Sequence, residues 1–206
     1  PAGSGKSTVA RAIAVRLGRE YLDTGAMYRS VAFAALRRGV DPTDDEPVGR
    51  VARDVDMEVR GDGSVVVDGV DATIEIRGPE VTRAVSLVAA NPAVRTELRA
   101  RQREWAKARG GGVIEGRDIG TVVFPDAALK VYLDARPEVR AARRSNEVRE
   151  LSYETVATDL ARRDALDQGR ADSPLATADD AFVVDTSELG VEAIVDTVLA
   201  ELERRR

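Results

Sequence analysis

The run Pro1-Ala2-Gly3-Ser4-Gly5-Lys6-Ser7-Thr8, followed at once by Val9, Ile13 and Leu17 at helical spacing, restricts the fold more than any other stretch of the chain. Gly3 and Gly5 let the backbone curl so that N–H groups face phosphate oxygens. A helix starting at about Gly5 adds its positive end to the same place. The run fits the phosphate-loop pattern G-x-x-x-x-G-K-[ST] from its second position onward, and the missing glycine belongs immediately before Pro1. In that pattern Lys6 bridges β- and γ-phosphates and Ser7 ligates magnesium, so a nucleoside triphosphate is the expected ligand and residues 1–8 its cradle. A flexible linker could carry the same Gly-Ser-Gly-Lys-Ser letters, but it would not run directly into an amphipathic helix. The pattern names nucleotide binding and leaves the reaction open.

Composition narrows the chemistry by exclusion. There is no cysteine and no histidine among the 206 residues, which removes disulfides, thiolate sites, imidazole catalysis and histidine-ligated zinc. Carboxylates, hydroxyls, arginines and three lysines (Lys6, Lys107, Lys130) are what remain. A net charge of −5 argues against a nucleic-acid polymer as partner. No run approaches a membrane span and no signal peptide is visible, so a cytoplasmic location is expected. A monomer is expected too, because no surplus apolar face stands out.

Short apolar strands separated by helices predict an α/β, three-layer phosphate-loop fold with a parallel central sheet. The strands are expected around Tyr21–Leu22, Val113–Ile114, Leu129–Leu133 and Ala181–Asp185. Asp23-Thr24-Gly25 reads as a turn and N-cap, and the helix after it places Met27, Val31, Ala34 and Ala35 on one side. Residues 41–79 read as a small inserted subdomain: a polar helix over 45–54, then Met57–Val59, Val65–Val67 and an Asp68-Gly69 turn, the signature of a β-hairpin. Two helices split by Asn91-Pro92 follow, over 80–90 and 93–109. Residues 136–166 are helical and arginine-rich, with a break near Leu151-Ser152. A last helix carries Val191, Ile194, Val195, Val198 and Leu202 on one face.

Polar constellations fall where strands end and helices begin, which is where open α/β sheets bind ligands. One is Leu22-Asp23-Thr24-Gly25-Ala26-Met27-Tyr28-Arg29. A second is Glu115-Gly116-Arg117-Asp118-Ile119-Gly120-Thr121-Val122-Val123-Phe124-Pro125-Asp126. A third is Arg162-Arg163-Asp164, then Asp167 and Arg170. Together with the phosphate loop, in this order and over nearly the whole chain, they resemble the bacterial cytidylate kinases. The Thr-Val-Val-Phe-Pro-Asp segment is the most diagnostic of them. Residues 74–77 and Val94-Arg95 also look like that family.

The resemblance implies transfer of the γ-phosphoryl group of ATP to CMP, and to dCMP, with Mg²⁺. It makes 41–79 an NMP-binding subdomain and 137–172 a lid-like helical segment within one kinase domain. Thr24 matches a hydroxyl near the acceptor phosphate, with Tyr28 one turn further on, and Arg29, Arg117 and Arg170 match arginines that hold that phosphate. Ser86, Arg95 and Asp118 match groups that read cytosine. Arg163 and Asp167 match residues near the acceptor sugar, and Arg143 lies in the segment that resembles the lid over ATP. Lys6, Arg117, Arg163 and Arg170 are the catalytic set so implied. Plainer readings stand beside these: Arg29 and Tyr28 on a solvated helix face, Arg117 and Asp118 as a mutual ion pair, Ser86 as an ordinary helix serine, and Arg143 as one charged residue among Arg136, Arg140 and Arg144. Trp105 and Tyr132 read as packing.

Other phosphate-loop readings remain open: a kinase of UMP, AMP or shikimate, or a non-catalytic nucleotide-binding domain of a longer chain. A GTPase would want Asn-Lys-x-Asp, which no lysine here supplies. Because a phosphate loop follows a strand in mid-sheet, residues 1–206 are expected to fold poorly and phosphorylate little until an upstream apolar strand and glycine are restored. Comparing the yield and ATP turnover of the two forms tests this, and full activity from 1–206 alone would refute it.

Overall fold

The computed structural model describes residues 1–147, 152–169, 172 and 175–205. The chain divides into two compact units, Pro1–Leu17 with Arg117–Arg206, and Gly18–Gly116.

In the first unit, α1 (Lys6–Leu17) packs against α8 (Val191–Arg204). Val9, Ile13 and Ala14 bury one stripe of α1, and Ile194, Val195 and Val198 do so on α8, the arc that a helical period of 3.6 produces. Strands β6 (Val131–Asp134) and β7 (Phe182–Asp185) pair in parallel, with Val131 opposite Phe182 and Asp134 opposite Asp185. Helices α6 (Pro137–Glu147) and α7 (Tyr153–Gln168) pack on each other. Of the expected break between them, Leu151 lies outside the described residues. Ser152 N-caps α7, its hydroxyl accepting from the Thr155 N–H at 3.2 Å. Ile119–Val123 forms a turn of π-helix, which no local pattern announces.

In the second unit, β1 (Tyr21–Asp23) and β5 (Val113–Glu115) pair in parallel, Tyr21 opposite Val113 and Asp23 opposite Glu115. Gly112 leads into β5 without a side chain for a steric reason. A Cβ there would lie 2.8 Å from two carbons of the Trp105 ring and 2.9 Å from the Glu20 carbonyl oxygen. Between these strands the chain forms α2 (Thr24–Arg37), α3 (Asp45–Asp54), α4 (Pro79–Val88) and α5 (Pro92–Ala108). It also forms a three-stranded antiparallel sheet of β2 (Met57–Val59), β3 (Val65–Val67) and β4 (Val70–Asp71).

The Asp68-Gly69 turn is present. Both residues have positive φ, 49° and 76°, as the two-residue hairpin turn requires. Asp68 adds to it by accepting from the Asp56 N–H at 3.1 Å and from Arg38 at 2.7 Å. Val65 and Val67 turn inward into a core shared with Val31, Val48, Ile76, Val88 and Leu98.

Helix α2 departs from the expected one-sided pattern. Ala26, Met27, Val31, Ala32, Phe33, Ala34 and Ala35 are all buried, because α3, α4, α5, β2, β3 and β5 surround it. Its alanines let those neighbours approach closely on every side. Its cap is Asp23, whose Oδ1 accepts from the Ala26 N–H at 3.0 Å, so Thr24 is the first helical residue rather than the cap.

Leu98 on α5 is 0% exposed in this core, whereas Val15 on α1 is 80% exposed. Urea denaturation is expected to show Leu98→Ala losing about 2–5 kcal/mol and Val15→Ala changing by less than about 0.5 kcal/mol.

Candidate functional site

The predicted site residues fall in both units. Residues 1–8, Arg117, Asp118, Arg143, Arg163 and Asp167 belong to the first, and Thr24, Tyr28, Arg29, Ser86 and Arg95 to the second. Arg170 lies outside the described residues.

The phosphate loop has the conformation its glycines imply, with Gly3 at φ 76° and Gly5 at φ 86°. A side chain at Gly3 is excluded twice, by that φ and by the Arg140 backbone oxygen 2.9 Å from where its Cβ would sit. Lys6 folds back over the loop. Its ammonium donates to the Pro1 carbonyl and, at 3.3 Å, to the Ser4 hydroxyl, which itself donates to Pro1 O at 3.1 Å. Helix α1 begins here with the Val9 N–H donating to Gly5 O, and Ser7 and Thr8 are exposed on its first turn. The exposed Ser7 hydroxyl at a helix start suits a hard cation that takes most of its ligands from phosphate and water. Among the described residues no group of three or more acidic side chains forms a metal cage.

Helices α6 and α7 press on this loop. Ala2 packs with Ala141, Val156 and Leu160. The Ala2 N–H donates to Asp164 Oδ1 at 3.1 Å, and Arg140 donates to Ala2 O at 3.1 Å while ion-pairing with Asp164. Ala2 therefore directs its N–H at α7, and the proposed phosphate donors of the loop lie after it. Arg143 comes close to Gly5, one guanidinium nitrogen lying 4.0 Å from where a Cβ would sit, and it donates to the hydroxyl and carbonyl of Thr186. Thr186 follows β7 and reaches Ser4 O at 3.1 Å.

A second cluster is built on α7. Arg117 Nε donates to Asp167 Oδ2 at 2.8 Å. The plainer reading of Arg117 paired with its neighbour Asp118 is thus replaced by a pair 50 residues apart. Partly buried Arg163 sits among Arg117, Arg144, Asp164 and Asp167. Burial and then the nearby Arg117 push its guanidinium pKa down, with Asp167 opposing, but arginine stays charged. Such a cluster holds fixed positive charge where ionised oxygens can be bound bidentately. Asp118 is buried, and its carbonyl accepts from the N–H groups of Val122 and Val123 at the head of the π-helical turn.

In the second unit, Arg95 is 1% exposed, donates to Ala89 O at 3.0 Å and lies over the Tyr28 ring, 5.7 Å from its centroid. Arg29 donates to Ile76 O at 2.9 Å and to the Thr82 hydroxyl at 3.0 Å, both uncharged acceptors. Neither Arg29 nor Tyr28 is on a fully solvated face. Thr24 is buried and donates to Glu115 O at 2.6 Å, and Tyr21 donates to the Glu115 carboxylate at 2.7 Å. Ser86 is half-buried on α4.

A family model described as Cytidylate kinase matches residues 1–204. The chain belongs to the cytidylate kinase family. It is 51% identical to a protein named cytidylate kinase from Mycolicibacterium paratuberculosis, over all of this chain and 93% of that one. It is 47% identical to a cytidylate kinase of Streptomyces griseus, over 100% and 91% of the two chains. A third, from Pelotomaculum thermopropionicum, is 46% identical over 100% and 94%.

Within this cytidylate kinase-family chain, sequence reasoning missed Arg140, Asp164 and Thr186 as partners of the phosphate loop, and Thr82 and Glu115 as partners of Arg29 and Thr24. Arg140 stood in a charged run in which one more solvated arginine was expected. Its three-residue offset from Arg143, which puts both on one helix face, was the available signal.

Proposed function

We propose that this chain transfers the γ-phosphoryl group of ATP to CMP, giving ADP and CDP, and that dCMP is also accepted. The observation that carries the reading is a glycine-rich loop closed over by Lys6, in a unit that also holds the Arg117–Asp167–Arg163 cluster. The relatives named cytidylate kinase support the choice of acceptor.

The chemistry suits a chain without histidine. The attacking group is a phosphate oxygen, and because the second pKa of a phosphate monoester is about 6 it is already ionised near neutral pH. No strong general base is needed. Catalysis reduces to in-line positioning and neutralisation of charge. Lys6 acts on the β- and γ-phosphates, the loop backbone cradles them, and Arg143 approaches the donor. Thr24, Arg29, Arg117 and Arg170 bind the acceptor phosphate, with Arg163 and Asp167 near its sugar. Ser86, Arg95 and Asp118 read the base, and the Tyr28 ring supports the Arg95 guanidinium. Ser7 would hold Mg²⁺, which when bound neutralises phosphate charge.

Residues 41–79 serve as the NMP-binding part and 137–172 as the lid. A monomer working in the cytoplasm on pyrimidine nucleotides, with no nucleic-acid polymer as partner, completes the proposal. Among the described residues no helix is long and apolar enough to cross a membrane.

ADP formation should be fastest with CMP in a panel of CMP, dCMP, UMP, AMP and no acceptor. Equal rates with and without acceptor would reject the kinase reading. Asp118→Ala should erode the preference for CMP over UMP by tenfold or more, since a carboxylate that accepts from the exocyclic amine of cytosine is worth about 1–3 kcal/mol of discrimination. Equal losses for CMP and UMP would remove Asp118 from base reading.

A further inference from the structure

Neither Asp164 nor Arg140 has a part in the reaction described above, yet together they fix the backbone of the phosphate loop. The Ala2 N–H belongs to the peptide joining Pro1 to Ala2, and the Ala2 carbonyl to the peptide joining Ala2 to Gly3. Asp164 accepts from the first at 3.1 Å, Arg140 donates to the second at 3.1 Å, and the two side chains close the ring by their own ion pair. Both side chains are largely buried, 11% and 13% exposed. Arg140 is further fixed by its Nε donating to Ala135 O at 3.1 Å, and its backbone abuts Gly3.

We propose that Asp164 and Arg140 are positioning residues for ATP. They lock the two peptide planes flanking Ala2 so that the loop after it presents N–H groups, rather than carbonyl oxygens, to the donor phosphates. The idea rests on the reading that this loop binds ATP. The chemistry favours it over a purely structural ion pair. A salt bridge that served only stability would not need to engage both the donor and the acceptor of one loop residue. A rotation of the Ala2–Gly3 peptide would turn an oxygen toward anionic phosphate, and the Arg140 hydrogen bond opposes that rotation. The arrangement also ties the loop to α6 and α7, so a shift of either helix reaches the donor phosphates through a single residue.

A double replacement separates the two roles. Exchanging both members of a buried ion pair for apolar groups of similar size is often neutral for the pair itself, so Arg140→Met with Asp164→Leu strands no buried charge and removes both hydrogen bonds to Ala2, leaving its N–H and carbonyl without those partners. Arg140→Lys is the second variant: it keeps the charge and loses the planar guanidinium, whose Nη1 reaches both Ala2 O and Asp164 while its Nε holds Ala135 O.

The measurements are thermal melting, calorimetric binding of a non-hydrolysable ATP analogue with Mg²⁺, and kcat and KM for each substrate. The double variant is expected to melt a few degrees below the wild type, because the Ala2 N–H and carbonyl lose their partners, and, well below either melt, to bind the analogue at least about tenfold more weakly, the effect of losing a hydrogen bond to a charged group. Its kcat should fall while the KM for CMP stays within about twofold. Arg140→Lys should lie between the two. Analogue affinity and kcat within about twofold of wild type in the double variant, or in Arg140→Lys should the double variant not fold, would overturn the proposal. Equal weakening for the analogue and CMP would overturn it as well. A wild type that binds the analogue but makes no ADP with CMP would reject the proposed function alone. One that does not bind the analogue would reject both.

Discussion

A buried backbone polar group must find a partner, and in the first unit this requirement falls most heavily on the phosphate loop. Ala2 and Ser4 are buried, and a loop has no ladder of its own to satisfy them. Their partners come from far along the chain: Asp164 and Arg140 for Ala2, and Thr186 for Ser4 O. These contacts explain why α6, α7 and the end of β7 converge on the loop. The missing side chain of Gly3 is what lets the Arg140 backbone come so near. Charge then accumulates by consequence, since the helix that supplies Asp164 also carries Arg163 and Asp167, with Arg117 paired to the latter.

The second unit is organised by volume rather than by charge. Helix α2 is buried over most of its surface, which its alanines permit and larger side chains would not. The same economy appears at Gly49, where a Cβ would fall 2.9 Å from the Cβ of Ala93 at the α3–α5 contact, and at Gly112 against the Trp105 ring. A core this tightly filled fixes the starts of α2 and α5, from which Tyr28, Arg29 and Arg95 project. Arg95 is itself one of the largest buried side chains, tolerated because a carbonyl and an aromatic face replace water around its guanidinium.

Much of this was legible beforehand, wherever the signal is local. The phosphate loop, the polar helix over 45–54, the Asp68-Gly69 hairpin turn and the helix pair split by Asn91-Pro92 each depend on the φ preferences or capping groups of a few consecutive residues. The π-helical turn at Ile119–Val123 was not legible, because its apolar letters fit a strand or a helix equally well. The expected inner side of α2, Met27, Val31, Ala34 and Ala35, is buried, and the burial of Ala26, Ala32 and Phe33 beside it was not legible because alanine is neutral about burial. The parallel strands were placed to within a residue or two. The described parallel strands occur as two pairs, β1 with β5 and β6 with β7, and no periodicity reports which strands are neighbours.

Local pattern alone points this chain at a nucleotide phosphate and leaves its chemistry to arginines and carboxylates. Spacing around Gly3, Gly5 and Lys6 fixes a backbone shape, and the absence of histidine and cysteine is a property of composition alone. The pairing of those charges is a product of packing. Arg117 meets Asp167 rather than Asp118, Arg140 turns inward while Arg136 bonds to exposed Glu188, and Arg143 reaches Thr186. Ion-pair partners are chosen by distance in space and by the cost of burying a lone charge. Neither quantity exists until segments 24 to 52 residues apart have packed.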